Sequence, residues 1–385
     1  DVNCSGEHLV GNGSNTVVIR DIPRDGKWVW IRLRRRRVKC TICGRTASFH
    51  VNAFHPDRQM TIRLVLSIQQ ACLQETCASL SRRIGVDEGT IRDIAKAHIA
   101  HLDRSLSFGV PSVLGLDEFK IYGRPSAILT NIEARTIYDV LETRTAVHLR
   151  PALEQIAASG QLEVVVTDMF EAYLRLVGQI APRTPVVIDR FHVVRMANDA
   201  MERVRRRVQV RLAPEERKRL KRERGVFLSN AADLLPEAVA LRDAWFGEAP
   251  ELRAAYEAKE AFHTIYHAAS RDAAERAFLL WRETLSDPGK RDFMQAGYAF
   301  STHRVPILNY FEHRYTAGFT ESVNRLAKDI NRLGRGYSWE VLRARLLQGA
   351  RYRSLALVDV VALAPWGSEF FRLVGAHADV FAQLP

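Results

Sequence analysis

Three apolar runs in the middle of the chain each end in an aspartate: VLGLD at 113–117, LEVVVTD at 162–168 and TPVVID at 184–189. Short runs rich in Val, Ile and Leu read as buried strands, and their alternation with helical patterns indicates a sheet covered on its faces. The order is three strands (112–119, 126–133, 136–142), a helix at 145–158, the strand ending at 168, a helix at 171–181 and a strand at 184–191. Three consecutive strands followed by alternating helix and strand is the order of an RNase H-like domain, an α/β fold. Parallel strands open their carboxyl ends onto one rim, so Asp117 and Asp168 are expected side by side there. Glu118, next to Asp117 in the same strand, is expected to face the other way.

From about residue 193 to 300 the pattern becomes helical and contains the basic pieces RVRRRVQVR (203–211) and RKRLKRERG (217–225). The catalytic pattern resumes in GFTESVNRLAKDINR (318–332), a helix with an apolar stripe of Phe319, Val323, Leu326 and Ile330. The expected organisation is therefore an RNase H-like domain over 109–198 and 306–385, the latter carrying C-terminal helices, split by a helical insertion at 199–305. Glu321, Arg325, Lys328 and Arg332 fall on a second face of the 318–332 helix. They form either a surface ladder of ion pairs or a metal-binding glutamate followed by phosphate-binding cations.

Hard divalent cations prefer oxygen ligands and retain waters, so two or three carboxylates suffice when phosphate completes the shell. Asp117, Asp168 and Glu321 are the expected ligands of two Mg²⁺ or Mn²⁺ ions that clamp the attacking and leaving oxygens of a phosphoryl transfer. Asp189 and His192, three apart in IDRFHVVR, make either a local helix cap or a support for that site. Asp189 also competes with Asp168 for the second ligand position, and Asp168 is preferred.

The formal net charge of +12 over 385 residues implies a polyanionic partner, and the carboxylate set directs that implication to nucleic acid. Near the start, IRLRRRRVKC (31–40) places Arg34, Arg35, Arg36 and Arg37 in a strand-like segment suited to the phosphate backbone. Cys40 and Cys43, two residues apart and followed by Gly44, read as one knuckle of a structural zinc ribbon spanning 1–54. Cys4 and His8 are the candidates for further zinc ligands, with another expected upstream of Asp1. Residues 55–108 read as an all-α helix-turn-helix domain, with helices at 61–74, 76–85 and 87–102 and a turn at Gly85-Val86-Asp87. The last helix buries Ile91, Ile94, Ala95 and Ile99 and turns Thr90, Arg92, Asp93 and Lys96 outward, where Thr90, Arg92 and Lys96 are DNA-binding candidates. Five unevenly placed cysteines argue against a disulfide framework and for a reducing cytoplasm. No apolar run of about 20 residues predicts a membrane span, and no signal peptide is evident.

The motifs LGLDEF, VVVTDM, DRFHVVR and FTESVNRLAKDINR, preceded by a cysteine knuckle and a helix-turn-helix, resemble the bacterial ISL-three family of insertion-sequence transposases over nearly the whole chain. The resemblance implies a DDE triad of Asp117, Asp168 and Glu321, with Asp189 and His192 matching a D-x-x-H element of several DDE groups. It also implies N-terminal recognition of terminal inverted repeats, cleavage and strand transfer, transposon-end double-stranded DNA and target DNA as partners, and a homodimer or higher synaptic assembly in the bacterial cytoplasm at the nucleoid. Two positions depart from the family pattern: Cys4 stands alone, with Asp1 where its knuckle partner would fall, and Ala317-Gly318 replaces the usual Asn-Gly. Two other readings fit the same residues. One is an RNase H-like nuclease directed to DNA structure, and the other is a transposase-derived DNA-binding regulator without catalysis.

Overall fold

The computed structural model describes residues 8–48, 51–105, 109–334 and 337–354. Cys4 and the C-terminal segment beyond 354 lie outside the described residues. Strands β1 (Leu9–Arg24) and β2 (Lys27–Cys40) form a long antiparallel ribbon, and β3 (Thr46–Ser48) adds to its far end. The hairpin turn places Asp25 and Gly26 in the left-handed region at φ 52° and 73°, which suits the right-handed twist of the paired strands. Strand alternation sets Trp28, Trp30, Arg32, Arg34 and Arg36 on one exposed face of β2.

Buried Asp21 of β1 fastens the ribbon to the helices that follow. It accepts hydrogen bonds from Thr61 Oγ1 and Arg63 Nε, each at 2.7 Å. Thr61 in turn caps helix α1 (Ile62–Ala71) by accepting from the Leu64 N–H at 3.2 Å. Helices α2 (Cys77–Ile84) and α3 (Glu88–Ser105) follow, joined through Gly85 at φ 73°. A Cβ at Gly85 would also meet Trp28 Cε2 at 2.4 Å, so both backbone angle and space require glycine there. The expected stripe of Ile91, Ile94, Ala95 and Ile99 is buried.

The second sheet contains β4 (Val113–Ile121), β5 (Arg124–Asn131), β6 (Thr136–Leu141), β7 (Val164–Thr167) and β8 (Val186–Ile188), in the order β6-β5-β4-β7-β8. The β4–β5 and β5–β6 pairs are antiparallel, while β4–β7 and β7–β8 are parallel. Alternation in β4 separates the faces. Leu114 and Leu116 pack with α4 (Ala146–Ala158) and α5 (Glu171–Ile180). On the opposite face Phe119 and Ile121 pack with α7 (Gly318–Gly334) and α8 (Trp339–Ser354), the elements that carry Val323, Ala327, Leu342 and Leu346. The chain is thus a mixed α/β protein with a central sheet.

The strand expected over 184–191 is shorter, because helix α6 (Arg190–Arg211) begins directly after Asp189. The Asp189 N–H still bonds Thr167 O at 2.9 Å, ending the ladder, while the Asp189 carbonyl accepts from the His192 N–H at 3.1 Å. From α6 to His313 the chain is mostly helical, and its core is continuous with Val113, Val166 and Ile188 of the sheet. Much of the basic run in this region is engaged internally. Arg205 binds Glu202 through two bonds at 2.8 and 2.9 Å, Arg207 binds Asp292 at 2.6 and 2.8 Å, and Arg219 binds Glu248 at 2.9 Å.

Gly115 sets how closely α7 approaches the sheet. A Cβ on it would lie 2.4 Å from both Thr130 Oγ1 and Thr320 Oγ1, hydroxyls that bond each other at 2.7 Å. Gly115→Ala is therefore expected to cost about 1–3 kcal/mol of unfolding free energy through overpacking. Urea denaturation checks this, and an unchanged midpoint would contradict such close packing.

Candidate active site

Strand register brings three aspartates into line. Leu116 of β4 pairs with Thr167 of β7, and Thr167 pairs with Ile188 of β8. The next residue along each chain is an aspartate: Asp117, Asp168 and Asp189. They occupy the rim at the carboxyl ends of β7 and β8, where open α/β sheets place their ligands. Helix α7, held against β4 at Gly115, carries Glu321 in its first turn over that rim.

Each carboxylate is held differently. Asp117 is only 7% exposed; its Oδ2 accepts from Asn324 Nδ2 and its Oδ1 from the Glu118 N–H, both at 2.7 Å. Glu118 faces the other way, as expected, and pairs with Arg144, whose guanidinium lies 4.2 Å from the Phe170 ring centroid. Asp168 Oδ1 accepts from the Phe170 N–H at 2.9 Å, at the entry to α5. Asp189 is 0% exposed; its Oδ1 accepts from the Ala317 N–H at 3.2 Å, while Oδ2 has no hydrogen-bond partner. Ala317 O accepts from the Glu321 N–H at 2.8 Å, so Asp189 also fixes the start of the helix that bears the glutamate. Arg325 Nη2 lies 3.7 Å from Glu321 Oε2, one exposed cation facing the group.

The acidic groups act on one another. Burial pushes the Asp117 carboxyl up to about 7, and the charges of Asp168, Glu321 and Asp189 add to the rise while His192 opposes it. Burial likewise raises Asp189; the Ala317 N–H and His192 moderate that rise, and Glu321 adds to it. A rim with this many carboxylates is short of positive charge, and a divalent cation would correct that. Among the described residues Asp189, His192 and Glu321 form a group that could hold a metal ion, with ligand atoms within 4.8 Å of one another. Asp117 and Asp168 stand beside this group and are not part of it.

Asn324 was not among the residues singled out from sequence. Its position three residues after Glu321, one turn along the same helix, was the available signal. Of the basic candidates, Arg325, Lys328 and Arg332 are exposed along α7, with Arg332 3.7 Å from Asp329. On the ribbon Arg34, Arg36 and Arg37 are exposed, whereas Arg35 is half-buried with its Nε unpartnered. Arg34 Nε donates to Ser14 Oγ at 2.8 Å. On α3, Arg92 pairs with Glu88 at 2.6 Å and Lys96 is exposed. Thr90 is half-buried instead of facing freely outward, because its N–H and hydroxyl donate to Asp87 Oδ2 at 2.8 and 3.0 Å in the cap of α3. Cys40 is buried at the end of β2 and Cys43 is exposed, with the turn between them closed by Gly44 N–H to Cys40 O at 3.0 Å and Gly44 at φ 70°.

The model of the ISL-three family of DDE transposases, described as Transposase, matches residues 114–346, more than half of the chain. No curated protein matches the sequence. Among the described residues no helix is long and apolar enough to cross a membrane.

The raised Asp117 carboxyl has a stability consequence with a definite sign. The folded state holds the proton more tightly than the unfolded chain, so this contribution is complete below the ordinary value of 3.8 and is lost as pH rises through about 7. In metal-free protein, Asp117→Asn is expected to leave stability little changed near pH 4 and to raise it over wild type by about 1–3 kcal/mol at pH 8. Urea midpoints at the two pH values measure the difference, and a pH-independent effect would contradict the electrostatic origin.

Proposed function

The chain belongs to the ISL-three family of DDE transposases, and from that membership we propose that it binds the terminal inverted repeats of an insertion sequence, cuts DNA at those ends and joins them to a target. The observation that carries the reading is the register that lines up Asp117, Asp168 and Asp189 beneath Glu321 on one sheet rim. The strand order matches that of an RNase H-like catalytic domain, interrupted by helices and resumed at α7.

Asp117, Asp168 and Glu321 would hold two Mg²⁺ or Mn²⁺ ions. The donor set is oxygen-rich, Asp189 Oδ2 is buried with no hydrogen-bond partner, and the raised Asp117 carboxyl reports a rim short of positive charge; all three fit a bound cation. Such ions, when bound, supply Lewis-acid stabilisation of charge on phosphate and on the attacking and leaving oxygens. The chain's own residues set the geometry. Asn324 and the Glu118 N–H fix the Asp117 carboxylate, the Phe170 N–H fixes Asp168, and Asp189 anchors the start of α7. The exposed cations Arg325, Lys328 and Arg332 would steer the DNA backbone along α7. In the cut, water attacks phosphorus and the 3′ oxygen leaves. That 3′-hydroxyl then attacks a phosphodiester of the target, releasing a target 3′-hydroxyl, with no covalent link to the protein.

End recognition is assigned to the N-terminal part. Helices α2 and α3 form a helix-turn-helix whose second helix presents Arg92 and Lys96 to the major groove. The arginines of β2 bind phosphates, and Cys40 and Cys43 serve as half of a structural zinc site whose other candidate ligands are Cys4 and His8. Two ends must be held together for joining, so the working unit is a dimer or larger.

Duplexes carrying the element's own ends test the chemistry. Mg²⁺ or Mn²⁺ is expected to support cleavage and joining by wild type, while Asp117→Ala, Asp168→Ala and Glu321→Ala lose about 10²–10³-fold or more with end binding intact. Hydrolysis without joining would favour a nuclease; tight binding without cutting would favour a regulator. A separate measurement addresses the ribbon. Arg34→Ala and Arg36→Ala are each expected to reduce the slope of log affinity against log salt by roughly one. Unchanged slopes would remove these arginines from the DNA interface.

A further inference from the structure

The side chains of Asp189, His192 and Glu321 come from two elements that meet only in the folded state: the start of α6 and the first turn of α7. Their ligand atoms all lie within 4.8 Å of one another. Around a six-coordinate ion with bonds of about 2.2 Å, neighbouring ligands stand about 3 Å apart and opposite ones about 4.4 Å, so the trio needs little adjustment to close on one ion. A second observation is independent of this clustering. Asp189 is 0% exposed, and while its Oδ1 is engaged by the Ala317 N–H, its Oδ2 is left without a partner. A buried carboxylate oxygen without a donor is costly unless something positive completes it.

We propose that Asp189, His192 and Glu321 form a nitrogen-containing divalent-cation site that shares Glu321 with the Asp117–Asp168 side of the rim and prefers Mn²⁺ to Mg²⁺. The preference follows from the donors. Mg²⁺ favours all-oxygen shells, whereas an imidazole nitrogen binds the later first-row ions better than it binds Mg²⁺. The rim is therefore asymmetric. Asp117 and Asp168 offer only oxygen, while His192 supplies nitrogen at the β8 end. Arg325, 3.7 Å from Glu321 Oε2, is 79% exposed and can leave without uncovering anything buried. Asp189 serves both purposes, one oxygen holding α7 and the other facing the demand for a cation. The inference rests on the proposed catalytic reading in that Glu321 belongs to both sites.

The test titrates Mn²⁺ into the full-length, metal-free chain without DNA and reads the bound ions by electron paramagnetic resonance. Wild type is expected to show spin-echo modulation from a directly bound imidazole ¹⁴N. His192→Asn is expected to abolish that modulation, weaken one Mn²⁺ by about tenfold or more, and remove the preference over competing Mg²⁺. Asp117→Asn is expected to keep the ¹⁴N signal. Because Asp189→Asn also disturbs the hold on α7, the half-buried His192 is the primary substitution, and thermal melts confirm its fold. Bound Mn²⁺ without ¹⁴N modulation, a His192→Asn variant that binds like wild type, or no bound Mn²⁺ in wild type would each overturn the inference. Failure of the catalytic reading looks different: Asp117→Asn and Asp168→Asn would both retain wild-type cleavage whatever the nitrogen signal shows.

Discussion

Mutual repulsion of carboxylates on one sheet rim is the constraint around which this protein is arranged. Asp117, Asp168 and Asp189 follow paired residues of three adjacent strands, and Glu321 is brought over them by a helix. Nothing in ordinary folding rewards that placement. Burial and like charge raise both Asp117 and Asp189, so the ionised rim is a cost that the apolar contacts elsewhere must offset. The parallel pairing of β4, β7 and β8 brings the three aspartates together, because Asp168 and Asp189 directly follow β7 and β8 and Asp117 lies at the matching level within β4.

Several features elsewhere exist to hold that rim in shape. Gly115 lets α7 lie close against β4, and the Thr130–Thr320 hydroxyl bond closes the space that a Cβ would fill. Asn324 orients Asp117 from the same helix that carries Glu321, and Asp189 grips the Ala317 N–H at the helix start. The helical region from α6 onward extends the core from Val113, Val166 and Ile188, so the rim is backed by packed side chains on that side. Its arginines, conspicuous in the chain as charge, are largely occupied by Glu202, Asp292, Glu251 and Glu248.

Much of this was legible from residue order. Apolar runs ending in aspartate located β4 and β7 within a residue or two and set Asp117 beside Asp168, because period-2 burial and parallel pairing are local rules. The apolar stripe of 318–332 likewise located α7 and placed Glu321 off the buried face. What the sequence hid was tertiary. TPVVIDRF reads as one strand, but the polypeptide turns into α6 at Asp189, since nothing in the apolar pattern marks where a ladder ends and a helix begins. Asn324 looks like any polar helix residue until Asp117 is seen beneath it. Gly115 reads as a weak point in a strand until Thr320 closes on it from 205 positions away in the chain. Thr90 looked free to meet DNA, yet its hydroxyl is committed to Asp87.

On the proposed reading the aligned aspartates and Glu321 hold divalent cations. The decisive measurement is anomalous diffraction from crystals grown with Mn²⁺ at neutral pH. Manganese peaks are expected on the rim bounded by Asp117, Asp168, Asp189 and Glu321. A well-ordered rim with no peak, its carboxylates joined to one another through shared protons, would contradict it.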